Sequence, residues 1–238
     1  MDASTIAVLS LGFVYGLRHA LDPDHMVAVS TIVSEHKSIA RSSLIGTFWG
    51  LGHTASLLAV GIAVLLLKIS IPKQVGLWLE MAVAAMLVVL GLNVLLGLAR
   101  KQGLQLHTHS HTHDGELPHS HLHVHREEDH EHRHRLFRLG RKPFVVGMVH
   151  GMAGSAAVTL ATLTTIPSVV LGVVYIGLFG LGSVGGMLLM SALIGLPFAI
   201  TARRFSKINT RVRLAAGLLS LIFGLMLAWN LIHEIRQG

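Results

Sequence analysis

The chain has 238 residues, 52% of them hydrophobic and only 13% charged, with a mean hydropathy of +0.63. A soluble domain carries about 25% charge, so the balance excludes an ordinary soluble protein and implies several membrane-spanning helices. The absence of cysteine excludes disulfides, zinc-thiolate sites and redox pairs. The formal charge of +7 does not point to nucleic acid, because Lys and Arg gather in short loops between apolar runs, where they mark membrane orientation.

At the N-terminus, MDAST lacks the basic stretch of a signal peptide, so the first apolar segment is expected to remain as a helix. A spanning helix needs about 20 mostly apolar residues. Six segments meet this: roughly 5–33, 42–67, 75–98, 143–166, 170–201 and 212–233. The fifth carries GLFGLGSVGG (177–186) and is read as one tilted, broken helix rather than two short ones. With six spans, one side carries Lys37, Arg41, Arg100, Lys101, Arg138, Arg141 and Lys142, together with the cluster Arg203, Arg204, Lys207, Arg211 and Arg213. The other side carries only Lys68, Lys73 and Arg236. The positive-inside rule makes the first side cytoplasmic and puts both termini outside.

The expected fold is all-α, a polytopic helical membrane protein with about six transmembrane helices. Residues 1–100 and 143–238 form two three-helix units, separated by a histidine-rich loop over 101–142. FVYGLRHAL (13–21) aligns with FVVGMVHGM (144–152), matching Phe13 with Phe144, Gly16 with Gly147 and His19 with His150. Pro23 then falls opposite Gly154. GTFWGLGHT (46–54) aligns with GLFGLGSV (177–184) after one deletion, setting His53 against Ser183, and Gly91 and Gly224 anchor a weaker match in the third spans. Two related units of three spans must face opposite ways, so the pattern predicts a 3+3 inverted repeat with interrupted helices.

Costly polar groups interrupt the apolar runs. RHALDPDHM (18–26) holds an arginine, two histidines and two aspartates. An ionisable group at mid-membrane costs at least about 2.5–3.5 kcal/mol on insertion scales, and normally faces a bundle interior or cavity. His19, Asp24 and His25 do not share one face of a regular helix. Pro23, however, has no N–H, so the His19 carbonyl loses its helical partner. A break there lets two imidazoles and a carboxylate converge. His53 lies mid-span beside Gly50 and Gly52, and His150 precedes Gly151, Gly154 and Ser155.

The residues are therefore read as a metal set of His19, Asp24, His25 and His53, with Asp22, His150 and Ser155 in a secondary or gating role. A hydrogen-bonded interhelical histidine is an equal alternative for His150. Imidazole suits Ni, Cu, Zn and Fe, with Co(II) close by in the same series, and the lack of cysteine argues against a soft Cu(I) site. Arg18 and Asp22, four apart, are expected to pair. Glu80, Asn93, Thr159 and Thr162 are expected to make interhelical hydrogen bonds.

The loop holds eleven of the 17 histidines: His107, His109, His111, His113, His119, His121, His123, His125, His130, His132 and His134. With no apolar periodicity it is expected to be disordered unless metal orders it, and its composition points to accessory metal binding. In extended chain, alternate side chains point the same way and offer many imidazole pairs. The alternative is a solvated linker that charges near pH 6.5.

RHALDPDH (18–25) resembles R-H-A-x-D-x-D-H, the signature of the nickel/cobalt transporter family. LGHT (51–54) resembles that family's L-G-H-[ST] motif, and HGMAGSAA (150–157) is similar to the urease-accessory permease branch of the same superfamily. Pro23 replaces the alanine common in the larger transporters. No L-G-F-D-T-A-T-E stretch occurs in the second half, and no extra leading helix is present, so the resemblance is to the shorter branch.

The resemblance implies a permease rather than an enzyme, with Ni²⁺ or Co²⁺ as transported substrate and no organic cofactor, in the inner membrane of a prokaryotic cell. It implies that His19, Asp24 and His25 are needed, with Asp22 matching the earlier acid of the motif and His53 the second-motif histidine. Urease or hydrogenase maturation proteins are the implied partners beside the ion and the bilayer. Import is the expected direction, since a 2+ ion moving inward gains about 4.6 kcal/mol at 100 mV, and the loop is expected to be dispensable for it. The alternatives are metal efflux with a buffering loop, or a metal sensor or chaperone that does not translocate. A membrane metalloenzyme is set aside because just six histidines lie outside the loop.

Overall fold

The computed structural model describes residues 3–68, 71–102, 107–111, 119–123, 135–153 and 168–237. In chain order these form α1 (Ala3–His19), α2 (Pro23–Val33), α3 (Ile39–Leu67), α4 (Lys73–Gln102), β1 (His107–His111), β2 (His119–His123), α5 (Arg135–Gly151), α6 (Val169–Arg204) and α7 (Ser206–Gln237). Among the described residues, four helices, α3, α4, α6 and α7, are long and apolar enough to cross a membrane. The other three have 17, 11 and 17 residues, short of the roughly 20 that a span needs. The single span expected at 5–33 is therefore two short helices. The helix expected from 143 begins at Arg135 and carries Pro143 inside it.

Pro23 accounts for the first break. Leu21 N–H donates to Arg18 O (2.8 Å) and Asp22 N–H to His19 O (3.1 Å), so the carbonyl that proline cannot serve is taken up by a tight turn. Asp22 is extended (φ −61°, ψ 140°) and Pro23 opens α2, where its missing N–H costs nothing. The glycine-rich stretch 177–186 behaves otherwise, because α6 runs through it as one unbroken 36-residue helix. Its glycines are notches for neighbours: a Cβ on Gly182 would strike the Phe13 carbonyl, and one on Gly180 the Thr54 side chain.

The same notches give the helix directions. Gly12 and Gly16 of α1 meet Tyr175 and Phe179 of α6, so these two run parallel. Gly52 and Gly151 of α3 and α5 meet Phe144 and His53 respectively, so α3 and α5 also run parallel. Gly46 against Ser191 and Gly50 against Val184 make α3 and α6 antiparallel, as Gly91 against Gly217 and Gly224 against Ala84 make α4 and α7. Small residues thus set the close contacts, as expected where apolar burial gives no net drive between helices in lipid.

Large apolar groups point outward, with Val170 74% and Trp229 71% exposed, whereas His25 and His53 are fully buried. The main core cluster, built on Ile45, Trp49, Leu87 and Met187, closes around those histidines. In the loop, β1 and β2 pair antiparallel in a register that matches histidine with histidine: His107 with His123, His109 with His121, and His111 with His119. These two segments are paired strands, where disorder unless metal orders it was the expectation.

Candidate metal centre

The break at 20–22 ends α1 on His19 and places Asp24 and His25 in the first turn of α2. His53 lies in the middle of α3, and His150 is the penultimate residue of α5. The glycine notches between α3 and α5 draw the last two together, since a side chain at Gly147 would strike the Trp49 backbone and one at Gly151 that of His53. All four imidazoles are buried, at 8% exposure for His19 and 1% or less for the others. Their ring centroids are 4.5 Å apart for His19–His25, 5.1 Å for His19–His53, 5.3 Å for His25–His53 and 4.0 Å for His25–His150.

Two aspartates orient the rings. His150 Nε2 lies 2.9 Å from Asp24 Oδ2 and His25 Nδ1 lies 3.2 Å from Asp24 Oδ1. His19 Nδ1 lies 2.7 Å from Asp22 Oδ2. A carboxylate only accepts, so each contacting nitrogen carries the proton and the other ring nitrogen keeps its lone pair. Carboxylates hold metal-binding histidines in this way. The second nitrogens of His25 (Nε2) and His150 (Nδ1), and both nitrogens of His53, are buried without a hydrogen-bond partner among the described residues. Leaving one such group unpaired costs about 1–3 kcal/mol.

The donor atoms form two overlapping groups, His19–His25–His53 and Asp24–His25–His150, each within 4.8 Å of one another. Metal–imidazole bonds of about 2.1 Å allow opposed donors to be about 4.2 Å apart, so a small contraction closes either group on an ion.

Measured against the sequence, His19, Asp24, His25 and His53 do come together. His150 lies beside them, its Nε2 2.9 Å from Asp24 Oδ2 on another helix, the contact expected of a hydrogen-bonded interhelical histidine. The expected Arg18–Asp22 pair is not formed. α1 ends between the two residues, so they are not one helical turn apart, and Asp22 turns to His19 instead. Glu80 and Asn93 make no interhelical hydrogen bond among the described residues; both line cavities. Glu80 faces one of 230 Å³ together with Asp24, and Asn93 one of 240 Å³ with Thr31, Glu35 and Lys142.

Sequence reasoning missed Trp49, one turn before His53, whose ring stacks on His25 (5.9 Å, 10°) and meets His150 edge-on (5.7 Å). Its four-residue spacing from His53 was the available signal. It also passed over the H-E-x-x-H spacing of HEHRH (130–134), which lies outside the described residues. Ser155, Thr159, Thr162, His113, His125, His130, His132 and His134 lie outside them too.

Comparison with known proteins gives a consistent picture. Residues 5–227 match the NicO family, described as high-affinity nickel-transport protein. The chain is 39% identical over 231 residues to the urease accessory protein UreH of Bacillus sp. (strain TB-90), covering 95% of this chain and 92% of that one. It is 24% and 25% identical, over 216 residues each, to the Arabidopsis thaliana proteins Chloroplast protein FOR GROWTH AND FERTILITY 1 and 2, covering 90% of this chain and 56% and 54% of theirs. No solved structure matches.

Proposed function

The chain belongs to the NicO family of high-affinity nickel-transport proteins, and from that premise we propose that it is a permease that carries Ni²⁺ across the membrane through His19, His25, His53 and His150. Four apolar helices and this family make it an integral membrane protein. The observation that carries the site is His53, fully buried beside the other imidazoles, with neither ring nitrogen hydrogen-bonded among the described residues. A passing cation is the partner that fits the ring nitrogen carrying the lone pair.

On this reading the ion exchanges waters for imidazole nitrogens, while Asp22 and Asp24 keep the rings in the receiving tautomer and supply negative charge. His25 belongs to both donor groups and hands the ion from one to the other. Neither group alone encloses the ion fully, as release requires. Co²⁺ fits the same nitrogen donors and is a second substrate in this reading.

The two halves act as inverted repeats. Reciprocal contacts support this: Gly52 abuts the Phe144 carbonyl while Gly182 abuts that of Phe13, and Gly147 meets Trp49 while Gly16 meets Phe179. The related pairs α1 and α5, α3 and α6, and α4 and α7 each run antiparallel, as the contact directions require. Rocking of one half on the other then exposes the cluster to each side in turn. Import is the direction the membrane potential favours for a 2+ ion, with the segment 101–142 receiving metal in the cytoplasm. The name of the urease accessory relative makes urease maturation a fitting destination.

The test is ⁶³Ni²⁺ uptake into proteoliposomes, run with right-side-out and inside-out vesicles. Uptake that His25→Ala abolishes and deletion of 107–134 spares supports the permease. Nickel binding without flux in the unaltered protein replaces it with a chaperone.

A further inference from the structure

We propose that the cavity beside Asp24 is the vestibule through which a hydrated divalent cation reaches the imidazoles, and that Glu80 is the carboxylate that captures it. This rests on the permease reading above. The cavity has a volume of 230 Å³ and is walled by α2, α4, α7 and the end of α5, through Asp24, Glu80, Ala153, Phe223 and Leu227 among others. That is room for several waters. Asp24 and Glu80 are the only polar side chains in its described wall.

Asp24 lies in the cavity wall. It is 30% exposed, and its two oxygens hold His25 and His150, whose second nitrogens are buried and have no partner among the described residues. Through Asp24 the cavity wall therefore touches the donor cluster. Glu80 is half-buried and has no hydrogen bond or ion pair among the described residues. It stands within electrostatic reach of both Asp24 and Glu234. Two carboxylates facing one space with apolar walls repel each other, and focus their field on any cation that enters.

The position also fits an entrance. Lys73 Nζ and Glu234 Oε1 lie 2.9 Å apart, which puts the start of α4 and the end of α7 at the same end of the bundle. Glu80 is seven residues, or roughly 10 Å, along α4 from Lys73. The cavity thus lies in the half of the bundle away from the histidine-rich segment, which follows the far end of α4.

The experiment measures ⁶³Ni²⁺ uptake kinetics of the full chain in proteoliposomes. Glu80→Gln is expected to raise KM about tenfold, with maximal rate within about twofold, and the difference is expected to shrink as ionic strength rises. Glu80→Asp is expected to recover most of the loss. Because the chain has no cysteine, Leu227→Cys gives a single thiol in the cavity wall. It is expected to react with a membrane-impermeant thiosulfonate, and Ni²⁺ is expected to slow that reaction. An unchanged KM in a folded Glu80→Gln protein, or a Leu227→Cys thiol inert from both sides, overturns the vestibule. If His25→Ala abolishes uptake while Glu80→Gln leaves KM unchanged, the vestibule fails and the permease stands. If the unaltered protein takes up no nickel, both fail.

Discussion

The two halves of the molecule share their packing and divide their chemistry. Gly52 and Gly182 each press on a phenylalanine carbonyl of a neighbouring helix, and Gly16 and Gly147 each press on an aromatic residue of another. Yet the first half carries His19, Asp24, His25 and His53, while among the described residues the second contributes His150 alone. Where α3 places His53, α6 places Ser183, a buried hydroxyl with no hydrogen-bond partner among the described residues. Backbone approach is set by residues with no side chain, so it tolerates drift elsewhere. A donor set needs particular atoms in one place, and in the proposed site one half supplies nearly all of them.

Matched substitutions separate these two layers. His53→Ala is expected to lower nickel uptake by more than about 100-fold, beyond the 10–100-fold typical of groups that only orient ligands. Ser183→Ala at the corresponding place is expected to leave uptake within about twofold, and equal losses would erase the contrast. Next in size, Asp24→Asn is expected to weaken nickel binding about 10–100-fold by calorimetry. An amide replaces one of the two carboxylate oxygens with an NH2 donor, so the imidazole held at that oxygen loses its acceptor.

The packing layer responds alike on both sides. Gly52→Val and Gly182→Val are each expected to cost about 1–3 kcal/mol or more in thermal or denaturant unfolding in detergent, because backbone must move. A large loss in one and none in the other breaks the correspondence of the halves. Deletion of 107–134 is expected to have the smallest effect, with uptake within about twofold and less metal retained per protein.

Much of this was legible in the sequence, for physical reasons. Long apolar runs gave six expected spans, of which four appear among the described residues as helices long and apolar enough to cross a membrane, and a proline beside three costly groups marked the break after His19. The glycine and phenylalanine matches marked the close contacts between halves. What periodicity could not give was the use of each group. A glycine-rich stretch can break a helix or receive a neighbour, and only the neighbour's position shows that 177–186 does the latter. Asp22 sits four residues from Arg18 in sequence, but the end of α1 removes the helix that would pair them. Asp24 was expected as a ligand, and it stands in one of the two donor groups, but the sequence did not show that its two oxygens also lie against His25 and His150. Trp49 was hidden among other apolar residues, since a ring that walls a site reads the same as one that fills a core.

The most direct test of the central claim is nickel-edge anomalous scattering from crystals of the full chain grown with Ni²⁺. The account predicts a peak about 2.1 Å from nitrogens of at least three of His19, His25, His53 and His150. Peaks confined to the histidines of 107–134, with none inside the helical cluster, would contradict it.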